Sequence, residues 1–170
     1  MRCWQIRNIL MHMETRTENT ISNLSSYSTL VFGTALIVAV VLDIIMPFKF
    51  LAEPWNRYLG VFVVLIGTVI VFWAENVGRK YSIRRKRGEV THVEHISKGV
   101  YSFSRNPKYV GLGILLIGLG IILNTIFVIA GAIVSIVIIH FFFVSKEEEL
   151  LANRHGAIYH EYKSKVKRWF

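Results

Sequence analysis

The chain has 170 residues, of which 53% are apolar, and a formal net charge of +9 at pH 7. Soluble domains average about 45–50% apolar residues, and from Tyr109 to Ser145 this chain runs for 37 residues without a Lys, Arg, Asp or Glu. A straight helix of that length would be about 55 Å long, whereas the apolar core of a bilayer is about 30 Å thick. The run must therefore fold back on itself in lipid. The apolar content and this long uncharged run exclude a soluble globular enzyme and a disordered chain. Since Cys3 is the only cysteine, a disulfide-stabilised secreted domain is excluded as well.

Four apolar segments follow one another and predict an all-α, polytopic membrane protein. Each is near the length that a tilted or slightly short membrane span needs. The only polar pair inside the long apolar run is Asn124-Thr125, which predicts the tight turn of a helical hairpin. The four predicted transmembrane helices are Leu30–Met46, Tyr58–Ala74, Tyr109–Leu123 and Ile126–Val144.

These spans divide the chain into three predicted parts. Residues 1–28 form a cytoplasmic or interfacial N-terminal segment. Residues 29–91 contain the first two spans and a basic loop, and residues 92–170 contain a polar segment, the hairpin and the cytoplasmic helices expected after the last span.

Glycines recur at intervals of seven residues in the third span. The pairs are Gly111 with Gly118 and Gly113 with Gly120. Small residues at such intervals allow helices to approach closely in a membrane, so we expect these glycines to serve packing.

The charges of the loops predict that both termini are cytoplasmic. Cytoplasmic loops near span ends carry an excess of Lys and Arg. With four spans, eighteen of the twenty basic residues lie on one side, in the N-terminal segment, the 75–108 loop and the tail. The positive charge is then expected to attract anionic lipid headgroups. Nucleic acid is not an expected partner, although the run Arg84-Arg85-Lys86-Arg87 is also of a kind that binds RNA.

The polar segment that enters the third span is the first candidate site. Pro107 forces Asn106 out of the α region and suits the first turn of a helix. We therefore expect Arg105 and Asn106 at the mouth of the span, with Tyr109 inside it. Each residue also has a structural explanation, as a headgroup anchor for Arg105, an N-cap for Asn106 and an interfacial aromatic for Tyr109.

Three adjacent carboxylates after the fourth span form the second candidate site. Cations rather than carboxylates are favoured at a helix C-terminus, so we expect the helix to continue out of the bilayer. Glu147 then points into a site, while Glu148 and Glu149 are solvated. Gly156 ends this helix, and the apolar residues that follow at intervals of four predict a helix lying on the membrane surface. These residues are Ile158, Tyr162, Val166 and Phe170.

Other ionisable residues are weaker candidates. His92 and His95 have no cluster of Cys or carboxylates to complete a coordination set, so no metal site is expected. His140 and Asp43 lie within spans, where ionisable groups are usually paired or functional. The sequence has no phosphate-binding loop and no nucleophile elbow. An enzyme of this kind would rely on positioning a reactive cofactor.

The two candidate sites, in this order around a hairpin, resemble the isoprenylcysteine carboxyl methyltransferase family in its broad sense, including its small prokaryotic members. The family pattern is G-x-Y-x-x-x-R-H/N-P-x-Y before the hairpin and E-E-x-x-L-x-x-x-F/H-G-x-x-Y-x-x-Y after it. The matching residues are Gly99, Tyr101, Arg105, Asn106, Pro107 and Tyr109, followed by Glu147, Glu148, Leu151, Gly156, Tyr159 and Tyr162.

This resemblance implies a methyltransferase that uses S-adenosylmethionine and acts on a lipophilic acceptor embedded in the membrane. It implies a cytoplasmic cofactor pocket covered by the helices that follow the hairpin, with Arg105 and Glu147 acting in catalysis. The cofactor-binding residues that it implies by position are His95, Ile96, Tyr101, Asn106, Pro107, Lys108, Tyr109 and Glu147.

Two positions depart from the family pattern. Asn106 stands where many members have histidine, and Phe143 stands where the prenylcysteine enzymes have an arginine that is thought to hold the substrate carboxylate. Phe143 therefore favours another acceptor, such as a phospholipid or lipid amine. Two further alternatives are a sterol reductase, whose chains are much longer, and a non-enzymatic membrane scaffold that binds lipid through its basic loop.

Overall fold

The computed structural model describes residues 2–86 and 97–169, and in these ranges the chain is helical with no strand. Four helices form the body of the molecule: α1 Arg2–Ile45, α2 Trp55–Lys86, α3 Pro107–Leu123 and α4 Ile126–Ile138. A short 3₁₀ helix, Gly99–Ser102, precedes α3. After α4 the chain continues through a π-helical turn, Ile139–Val144, into α5 Ser145–His155 and then α6 Ala157–Lys165.

Three to four of these helices are able to span a membrane, which confirms the predicted polytopic, all-helical class. The long apolar stretches are Asn23–Ile45, Trp55–Tyr81 and Ile126–Asn153. The α3 helix is apolar but has only 17 residues, or about 25 Å. It is therefore slightly short for a bilayer core of about 30 Å, and the count of four spans stays a prediction.

The first helix runs without a break from the predicted N-terminal segment into the first apolar run. Its buried residues Phe32 and Ala39 pack with Val128 and Ala132 of α4. This contact holds α1 along the hairpin, and it brings the part of α1 near residue 28 to the beginning of α3.

The hairpin turn lies where the Asn124-Thr125 pair predicts it. Asn124 has a φ of 55°, in the left-handed region, which asparagine tolerates better than most residues. Its side-chain oxygen accepts hydrogen bonds from the backbone N–H groups of Phe50 (3.1 Å) and Leu51 (2.9 Å), and its amide donates to Leu51 O at 2.7 Å. The turn is thus fastened to the connection between α1 and α2.

The regularly spaced glycines of α3 serve close packing, as predicted, but the two pairs face different neighbours. Gly111 and Gly118 face α2, where Cβ atoms would lie 2.8 Å or less from side chains or backbone. Gly113 and Gly120 face isoleucines of α4. On α2 the matching small residue is Gly67, where a Cβ would lie 2.6 Å from the backbone nitrogen of Leu115. The backbones of α2 and α3 are therefore in direct contact.

The chain after the hairpin folds back onto the protein. Gly156, with a φ of 54°, separates α5 from α6. The predicted membrane-facing stripe is wrong for Tyr162 and Val166, because both are buried with Tyr159 against the side of α5. The helix also ends at Lys165, and residues 166–169, here called the C-terminal strap, continue beyond it.

The contact between α2 and α3 predicts the effect of adding one methyl group. Gly67→Ala is expected to lower the free energy of unfolding by about 1–3 kcal/mol, because the new methyl meets backbone atoms that cannot turn away. Gly33→Ala in α1 is the matched control, since a Cβ there meets nothing within 4 Å. Thermal unfolding in detergent micelles measures both variants. Equal midpoints would contradict the direct backbone contact.

Candidate functional site

The segment before α3 is shaped by a glycine that packs against α2. Gly99 has a φ of 58°, and a Cβ there would lie 2.9 Å from the indole nitrogen of Trp73, so both the backbone and the space favour glycine. The 3₁₀ helix that follows carries Tyr101, whose hydroxyl approaches Gly78 of α2. The Tyr162 hydroxyl donates to the backbone oxygen of Tyr101 at 2.8 Å. Tyr101 is thereby fixed between α2 and α6.

A hydrogen bond between Tyr109 and Glu147 joins the two predicted sites. The Tyr109 hydroxyl donates to Glu147 Oε2 at 2.8 Å and lies 3.0 Å from Ser28 Oγ. Tyr109 is buried, because it enters the bundle one turn inside the start of α3. One phenol therefore connects α1, α3 and α5, as the prediction that Glu147 points into a site requires.

A second carboxylate approaches the same place from α2. Lys108 Nζ lies 3.4 Å from Glu75 Oε1 and 3.2 Å from Ser25 Oγ. Burial, together with the charges of Glu147 and Glu75, raises the pKa of Tyr101 to about 12. The Tyr101 hydroxyl is therefore neutral at physiological pH and can donate a hydrogen bond.

These side chains form what we call the carboxylate site: Tyr101, Tyr109, Glu147, Glu75 and Lys108. When all three groups are ionised, the two carboxylates and one ammonium give it a net charge of −1 among the described residues. Carboxylates attract cations, and the faces of tyrosine rings add to that attraction. The site is thus suited to a ligand that carries a positive charge and hydrogen-bonding groups.

Glu148 is buried, and the prediction that it is solvated is wrong. Arg168 contacts both of its carboxylate oxygens, with Nε 3.0 Å from Oε1 and Nη2 2.9 Å from Oε2. Arg105 Nη1 lies 3.3 Å from Oε1, and Lys163 Nζ lies 3.7 Å from Oε2. The sequence pattern missed this burial because the partner Arg168 comes twenty residues later. Glu149, by contrast, is exposed as predicted.

The C-terminal strap holds the segment that enters α3. The backbone N–H of Arg105 donates to Lys167 O at 3.1 Å, and the side chains of Ser104 and Asn106 donate to Arg168 O at 3.2 and 3.3 Å. Asn106 begins α3 without a side-chain capping bond. Its amide therefore donates a hydrogen bond to the strap.

His140 lies in the π-helical turn and also contacts the strap. The indole N–H of Trp169 donates to His140 Nδ1 at 3.0 Å. A π-helical turn often marks a functional position in a helix. Here it directs His140 toward the end of the chain, where the histidine helps to hold the strap in place.

The predicted site residues thus fall into two groups. Tyr101, Lys108, Tyr109 and Glu147 lie in or beside the carboxylate site. Arg105 and Asn106 lie against the strap, and Pro107 is buried as the first residue of α3. His95 and Ile96 lie outside the described residues. Within the ranges that the structure covers, no group of three His, Cys, Asp or Glu residues is placed to hold a metal ion.

Sequence reasoning missed four contributors to these contacts. Ser25 and Ser28 belong to a serine-rich stretch at the start of the first apolar run, and their regular spacing was the available signal. Glu75 is the first acidic residue after the second apolar segment, where an ionisable group is usually paired. For Arg168, within a run of basic residues, the sequence offers no distinguishing signal.

The model of the phospholipid methyltransferase family matches residues 55–158, which is more than half of the chain. The chain belongs to this family. The phospholipid methyltransferases are part of the isoprenylcysteine carboxyl methyltransferase-like superfamily of membrane methyltransferases, so the resemblance stated from the two motifs is confirmed, as is methyl transfer as the activity. The match covers the first motif and the second as far as Gly156, whereas α1, Tyr159, Tyr162 and the strap lie outside it. No curated protein and no solved structure matches the chain.

The charges around Glu148 predict a large loss of stability when that carboxylate is neutralised. Glu148→Gln leaves the Arg105 side chain, which is only 8% exposed, without its counter-ion, and removing one partner of a buried pair costs about 3–5 kcal/mol. Glu161→Gln is the control, because its pair with Lys165 is exposed and contributes little. Thermal unfolding in detergent is the measurement, and a similar midpoint in the two variants would refute the buried pair.

Proposed function

We propose that this protein transfers the methyl group of S-adenosylmethionine to the amine headgroup of a membrane phospholipid. Two observations support the proposal. The family is one of phospholipid methyltransferases, which generally use this donor, and the carboxylate site lies at the polar end of an apolar hairpin. The single observation that carries it is the bond between Tyr109 and Glu147, because it brings the two motifs of the family together.

The hydrogen-bonding and charged groups of the carboxylate site fit S-adenosylmethionine. This molecule carries a sulfonium, an ammonium and ribose hydroxyls, all of which interact favourably with a carboxylate. In our proposal Glu147 accepts hydrogen bonds from the ribose or the ammonium, and Tyr101, Tyr109 and Asn106 position the polar end. The binding roles predicted for His95, Ile96, Pro107 and Lys108 are part of the same proposal.

When bound, S-adenosylmethionine supplies an electrophilic methyl group, and the protein contributes orientation and a dry site. An amine attacks only through its lone pair, so the lipid ammonium must first give its proton to a carboxylate of the site or to water. Burial favours the neutral form of an amine. The carboxylates then stabilise the positive charge that the nitrogen gains when the new carbon–nitrogen bond forms and the carbon–sulfur bond breaks.

The choice of an amine over a carboxylate rests on Phe143. This side chain packs against the buried core of the hairpin, at the position where the prenylcysteine enzymes have a carboxylate-binding arginine. A carboxylate next to an ionised Glu147 would be repelled, whereas a lipid amine that arrives in its ammonium form is attracted. The second candidate is methylation of an isoprenylcysteine carboxylate, which the resemblance to both motifs of that family supports.

The proposed topology has four spans with both termini in the cytoplasm. It places the carboxylate site at the cytoplasmic face, where soluble S-adenosylmethionine has access. The acceptor then enters sideways from the bilayer between α3 and α4. The excess of basic residues on this side supports the orientation.

The role of Glu147 is tested by binding of S-adenosylhomocysteine, the product form of the donor, to the protein in detergent. Glu147→Gln is expected to weaken binding about tenfold or more, because a hydrogen bond to a charged group contributes about 1.5–3 kcal/mol. Glu149→Gln is the matched control, since that glutamate is exposed. Calorimetry measures both variants, and equal affinities would remove Glu147 from the donor site.

The acceptor is tested by incubating the protein with labelled S-adenosylmethionine and vesicles. We expect label in phosphatidylethanolamine and none in a farnesylated cysteine peptide in the same vesicles. Label in the peptide alone would replace the amine by a carboxylate acceptor. Saturable donor binding with label in neither would exclude both acceptors.

A further inference from the structure

A second group of charges lies beside the carboxylate site, and the proposed function gives it no role. We call it the arginine cluster; its members are Arg105, Glu148, Lys163 and Arg168. Three cations surround one carboxylate, so the cluster has an excess of two positive charges. This sign is opposite to that of the carboxylate site.

The cluster also has more hydrogen-bond donors than acceptors. Arg168 contacts both oxygens of Glu148 with good geometry. Among the described residues, Nε and Nη1 of Arg105 make no hydrogen bond, although Nη1 is in ion-pair contact with Glu148 Oε1 at 3.3 Å and the side chain is only 8% exposed. Leaving buried donors of a charged group unsatisfied is costly. The cluster therefore calls for an additional acceptor with negative charge.

Neighbouring side chains do not provide that charge. Burial raises the pKa of Tyr159, whose hydroxyl lies close to Arg105, to about 12, so this phenol is neutral. The adjacent carboxylate of Glu147 accepts a hydrogen bond from Tyr109. The missing acceptor is thus expected to come from a ligand.

The arginine cluster lies next to the carboxylate site. Glu147 and Glu148 are consecutive, and Arg105 precedes Tyr109 by about one helical turn, so the two sites are adjacent. Arg168 and Lys163 are 27% and 49% exposed, whereas Arg105 is inside. The cluster thus extends from a buried guanidinium to two cations that are in contact with solvent.

We propose that the arginine cluster is an oxyanion subsite that binds the phosphodiester of the acceptor lipid while the lipid amine reaches the carboxylate site. A guanidinium binds phosphate oxygens through paired, charge-assisted hydrogen bonds, and Nε and Nη1 of Arg105 are the two donors that make no hydrogen bond within the described residues. The inference rests on the proposed function and names the part of the substrate that is recognised. The same chemistry exists in the carboxylate of S-adenosylmethionine, and the experiment separates the two sources.

The experiment measures three ligands separately on the full chain in detergent. They are dihexanoylphosphatidylethanolamine, hexylamine, which has the amine but no phosphate, and S-adenosylhomocysteine, which has the donor's carboxylate. Calorimetry gives their affinities, and the phosphorus NMR line width reports on the phosphate directly. We expect Arg105→Gln to weaken phospholipid binding about tenfold or more, the cost of one lost charge-assisted bond. Binding of hexylamine and S-adenosylhomocysteine is expected to stay the same.

Two further variants keep this test decisive. Lys163→Gln changes a half-exposed side chain, so it is expected to fold and to weaken phospholipid binding by a smaller factor, even where Arg105→Gln fails to fold. Arg57→Gln is the matched control, because its guanidinium is exposed and pairs with Glu53 near the start of α2. It is expected to leave all three affinities unchanged.

The opposite results overturn the inference. If Arg105→Gln weakens S-adenosylhomocysteine binding and leaves phospholipid binding unchanged, the oxyanion is the donor's carboxylate. If the unmodified protein broadens no phosphorus signal, or if Lys163→Gln and Arg105→Gln both bind the phospholipid normally, no phosphate subsite exists. Failure of S-adenosylhomocysteine to bind the unmodified protein would refute the proposed function instead, and the phosphorus data would still test the subsite.

Discussion

The hydrogen bond from Tyr109 to Glu147 is the contact on which the site depends. It joins the residue that enters the hairpin to the residue that leaves it, 38 positions later. The apolar hairpin brings the two ends together because its turn at Asn124 is tight and its helices are of similar length. Ser28 of α1 adds a third element to the same phenol. A membrane bundle without this contact would have the two motifs of the family but no common site.

Two consecutive glutamates on α5 divide the polar surface into regions of opposite charge. Glu147 belongs to a region with excess negative charge, together with Glu75, whereas Glu148 is outnumbered by three cations. Such separation suits a substrate that itself carries a cation and an anion a few bonds apart. The C-terminal strap maintains the division, because Arg168 pairs with Glu148 through its side chain and accepts hydrogen bonds from Ser104 and Asn106 at its backbone oxygen.

The sequence predicted the elements whose signals are local. The apolar runs, the turn at Asn124, the beginning of α3 at Pro107 and the glycine spacing of α3 all follow from neighbouring residues. The sequence-based prediction failed for residues whose contacts are distant in the sequence. Burial of Glu148 depends on Arg168 and Arg105, and the inward face of Tyr162 depends on the way α6 folds back at Gly156. A charged residue looks solvated in a sequence until the fold supplies its counter-ion.

The central claim is that the methyl donor binds between the segment entering α3 and the helix leaving α4. Photolabelling with radioactive S-adenosylmethionine, followed by peptide mapping, tests it most directly. The account predicts label in peptides from residues 97–109 and 145–153 and its loss when excess S-adenosylhomocysteine competes. Label confined to the connection between α1 and α2, or label that the competitor does not displace, would contradict the account.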